Sequence, residues 1–215
     1  MAIYAVVHEI ACVGERAREP AAGALRLAWW RDALGDLAAS GALHPALAAL
    51  AAAHAEAPLP LGAFADLIGA HGEADFSAAP FASWAALDVH ALATAGGVIK
   101  LAAAACELAL REALIAEAAR AWGYASLLSA NNAWRVRGRT FLPREARDEA
   151  ASLRLMANTA RAAHARCGAL ARPIAAEAFP ALGYVALTPV LLDRPDTSLI
   201  ERRARLLWAQ VSGRV

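Results

Sequence analysis

From Phe81 to Arg111 the chain runs through mostly apolar residues without a proline, and its only glycines there are the adjacent Gly96 and Gly97. Such a run reads as one long apolar helix. Two glycines inside a helix cost about 1 kcal/mol each relative to alanine. Their presence predicts a close helix approach or a kink at that point. The rest of the chain repeats the theme. Alanine dominates, leucine follows, and Val, Ile and Tyr are sparse, which favours helix over strand. The fold class expected is all-α.

Proline and glycine cut the chain into pieces. Residues 2 to 18 read as a first helix. Pro20 suits the first turn of a second, ending near Leu37. A third follows His44-Pro45, and a short fourth spans 61 to 70. Residues 71 to 80, HGEADFSAAP, read as a loop. Beyond the long apolar helix, further helices are expected at 112 to 131, 146 to 171, 175 to 191 and 198 to 211. With 215 residues, 59% of them hydrophobic, the expectation is a single-domain bundle of about eight helices.

The net charge of +1 gives no field that would draw the chain to nucleic acid. Lys100 is the only lysine. Cys12, Cys106 and Cys167 are scattered and odd in number, which argues against a disulfide framework and for a reducing, cytoplasmic setting. No signal peptide is read at the start. The most membrane-like stretch, 174 to 192, carries Glu177, Pro180 and Pro189, so it reads as a buried kinked helix and not as a transmembrane segment. Peripheral contact with a membrane stays open.

Signatures for nucleotide binding, zinc hydrolysis and serine hydrolysis are missing. His8 and Cys12 stand four apart and His164 and Cys167 three apart, but two ligands do not make a zinc site. In LRLAWWRDAL, residues 25 to 34, Leu27, Trp30 and Leu34 share one face, and of the two adjacent tryptophans one is expected in the core and the other over a neighbouring helix or a cavity wall. The segment LLSANNAWRVRGRTFLP, residues 127 to 143, contains three alternating arginines and no acid. If extended, it would put Arg135, Arg137 and Arg139 on one side.

Five segments carry a resemblance that covers nearly the whole chain. They are IYAVVHEIACVGERAREP, LRLAWWRDAL, ALATAGGVIKLAAAA, WGYASLLSANNAWRVRGRTFLP and FPALGYVALTPVLLDR, followed by a closing RARLLWAQVSGR. In this order they resemble the squalene/phytoene synthase family, with WWRDAL and GRTFLP the most specific pieces. The resemblance implies an isoprenoid synthase bundle around a central apolar cavity. It also implies a start inside the family's first helix, truncated at the N-terminus relative to catalytic members. Those members join two prenyl diphosphates head to head, using paired acids on two helices to hold Mg²⁺ against the diphosphates.

Placed on that pattern, the first acidic motif falls on GERAR. Its terminal positions are Gly14 and Arg18, and Glu15 is the acid that remains. The second falls on ANNAW, where Ala130 and Trp134 stand at the acid positions. Glu9, Glu19 and Asp32 are not at matching positions. The reading that follows is a non-catalytic member with no metal, similar to the branch that includes the mitochondrial complex I assembly factor. Its partner would be a protein or a membrane-associated complex. The alternative is a binder of prenyl diphosphate or lipid phosphate that uses Arg16, Arg18, Arg135, Arg137 and Arg139 directly, since guanidinium forks match phosphate oxygens. A divergent prenyl transferase, the one case in which Mg²⁺ is expected, is the remaining reading.

Overall fold

The computed structural model describes residues 1–17, 19–77, 80–171, 176–194 and 197–213. Among them there is no strand, and the all-α expectation holds. The chain divides into two compact units, Met1–Ser77 and Ala78–Val215.

In the first unit, α1 (Ala2–Ala11) and α2 (Val13–Arg16) replace the single helix expected over 2 to 18. The break falls at Cys12, and Ala17 is already extended. Then come α3 (Pro20–Gly35), α4 (Leu37–Ser40), α5 (Pro45–Glu56) and α6 (Gly62–Ala74). Local chemistry sets their starts. Pro20 and Pro45 occupy first turns, Asp36 accepts from the Ala39 amide, and His44 accepts from the Ala46 amide. α6 runs into the segment read as a loop and stops only at Ala74. α1 packs on α5 and α6, and α3 packs on α6. The core they enclose is built on Val6, Ile10, Leu47, Leu50, Phe64 and Leu67, all fully buried. Leu27, Trp30 and Leu34 are buried, so Trp30 is the core tryptophan, and Trp29 is exposed.

In the second unit, α7 (Trp84–Ala91) and α8 (Gly97–Ala105) are joined by a π-helical turn over Leu92–Gly96. Then follow α9 (Glu112–Ser129), α10 (Asn131–Val136), α11 (Glu149–Leu170), α12 (Phe179–Leu182), α13 (Thr188–Asp193) and α14 (Leu199–Ser212). α9 is the hub, packing against α11, α13 and the π turn. The irregularity predicted from Gly96-Gly97 is this turn, where Thr94 Oγ1 donates to the His90 carbonyl at 2.7 Å. A Cβ on Gly96 would lie 3.3 Å from Ala119 Cβ, and one on Gly123 would lie 3.2 Å from Ala91 Cβ. Small residues on both sides therefore let these two helices approach closely. Gly97 has open space around it.

Two expectations need correction. The stretch 175 to 191 is not one kinked helix. Over its described part it breaks into short α and 3₁₀ pieces, Ala176–Ala178, α12, Gly183–Leu187 and α13, because Pro180 and Pro189 each restart the backbone. Such breaks make the segments shorter and more numerous than eight. Among the described residues, the helix long and apolar enough to cross a membrane is instead Trp84–Ala105, and half of its apolar window is buried inside the protein. A core helix of a soluble protein has the same properties.

Candidate functional site

The first motif position lies on α2. Gly14 is buried, and a Cβ there would fall 2.5 Å from Asp75 Cβ and 2.8 Å from Asp75 Oδ2. The Asp75 side chain, at the end of α6, fills the space that an acid at position 14 would need. Its Oδ2 lies 3.1 Å from His71 Nδ1, with both side chains largely buried. Glu15, the surviving acid, is exposed. Arg16 donates to Glu9 Oε2 at 2.7 Å, and that bond holds its guanidinium more firmly protonated. Arg18 lies outside the described residues. Cys12 Sγ is 3.7 Å from the His8 ring nitrogens. Burial, then the nearby Glu15 carboxylate, raises its thiol pKa, which makes it a poorer nucleophile.

The second motif position lies at α10. Ala130 precedes this helix, and Trp134 sits within it. The Trp134 ring meets Phe141 edge to face, with centroids 6.0 Å apart, and Phe141 is fully buried. At the position where the resemblance would place a carboxylate, the side chain is an aromatic anchor. The extended reading of RVRGR does not hold. α10 continues to Val136, and the chain then closes in a Schellman turn. The Arg139 amide donates to the Trp134 carbonyl at 3.0 Å, and the Gly138 amide donates to the Arg135 carbonyl at 2.9 Å. Gly138 has φ +66, the left-handed value this turn requires. Arg135 therefore lies on the helix, Arg137 at its end and Arg139 beyond the turn, so alternation does not align them. Arg135 Nη1 is 3.4 Å from Glu149 Oε1. Arg137 donates to the Ala133 carbonyl at 3.3 Å, satisfying a helix-end acceptor.

The strongest charge cluster of this unit carries none of the expected site residues. Arg120 donates twice to Asp88, at 2.8 Å each, and Tyr124 donates to the same carboxylate at 3.3 Å. Arg120 and Arg166 also flank Glu117. Burial, then the Asp88 charge, raises the Tyr124 pKa, so the phenol stays a neutral donor. Asp88 is held by Arg120 on both oxygens and by the Tyr124 hydroxyl. The sequence hides this cluster, because Asp88 and Arg120 lie far apart in the chain and neither belongs to a motif.

Mg²⁺ in the implied chemistry needs carboxylates that converge. Position 14 has no room for one, position 134 is an aromatic anchor, and no group of three or more His, Cys, Asp or Glu among the described residues could hold an ion. The residues present do not fit the metal. His164 and Cys167 share α11 without forming a ligand set, and burial pushes the Cys167 thiol up to about 12.

A family model described as squalene/phytoene synthase matches residues 1–212. No curated protein and no solved structure matches the chain.

Proposed function

Since the chain belongs to the squalene/phytoene synthase family, we propose that it is a non-catalytic member which acts by binding, in an assembly or chaperone role, with a protein as its partner. The observation that carries this reading is Gly14 against Asp75. A diphosphate carries a charge near −3, and its departure from carbon requires that charge to be met by metal ions. With the acid position on α2 filled by a neighbour's side chain, the family's electrostatic stabiliser cannot assemble there. The packing of Trp134 on Phe141 supports the same reading at the second position.

Direct recognition of phosphate by arginine has less support. Arg16 and Arg135 already face carboxylates, and Arg137 is turned onto its own helix end. The test is a thermal-melting titration with farnesyl and geranylgeranyl diphosphate, with and without Mg²⁺, on the wild type and on Arg135→Ala/Arg137→Ala. The expected result is no shift under any condition and no release of diphosphate. A shift that needs Mg²⁺ would overturn the reading in favour of a transferase. A metal-independent shift lost in the double variant would make the protein a phosphate binder.

A further inference from the structure

We draw no further inference here: the strongest candidate, the apolar pocket between α8 and the start of α9, lined by Leu92, Ile115 and Ala116 beside the exposed Lys100–Glu112 ion pair, carries nothing, because those two charges satisfy each other and nothing in the structure shows what fills it.

Discussion

At Gly14 one absent methyl group decides what α2 can carry. The would-be Cβ lies inside the van der Waals envelope of Asp75, so any side chain there must displace Asp75 from His71. Gly14→Asp would put an acid where the resemblance expects one and add a like charge beside a largely buried carboxylate. It is expected to lower stability by about 2–4 kcal/mol through overpacking and an unpaired charge, read as a lower urea midpoint with no recovery on adding Mg²⁺. Gly14→Asp/Asp75→Gly should recover part of the loss, because the two side chains then no longer compete for one space. Equal stability of Gly14→Asp and wild type would show that the acid position is still available. The motif positions at 14 and 134 come from the family resemblance and not from any local pattern. That Asp75 fills the first one was not legible in the sequence, since a contact between residues 14 and 75 is made by packing and leaves no local pattern.

Helices were legible where local chemistry sets them and obscure where packing does. Pro20, Pro45 and the Ser198–Glu201 box mark starts that sequence reading placed within a residue or so. The π turn at Leu92–Gly96 follows from the double glycine, but which glycine mattered did not. Gly96 faces Ala119 closely, whereas Gly97 faces nothing. At 135 to 139 the backbone is set not by the alternating arginines but by Gly138, whose positive φ ends α10. The two kinds of glycine respond oppositely to the same substitution. Gly138→Ala forces a Cβ into the left-handed region and should cost about 1 kcal/mol. Gly97→Ala adds a methyl group to helical backbone with open space around it and should gain roughly 0.5–1 kcal/mol. Chemical denaturation of both variants checks the pair, and a common sign would contradict the assigned backbone states.

Across the whole chain, stability is tied to pH through a ring that no motif marks. His164, on α11, is half-buried, and its Nε2 is buried without a hydrogen-bond partner among the described residues. Burial, then the positive Arg205 of α14, lowers its pKa below 6.5. The folded state therefore takes up this proton less readily than the unfolded chain does. Between the depressed folded value and 6.5 the unfolded state binds more protons, so stability rises with pH across that window and levels off above it. Its contribution is fully present at neutral pH and is lost progressively as pH falls below about 6.5. His164→Gln removes the titration and keeps a polar side chain of similar length. The melting temperature of the variant should fall less than that of the wild type between pH 7 and pH 5. Indistinguishable pH profiles would mean that His164 reaches solvent in the folded chain.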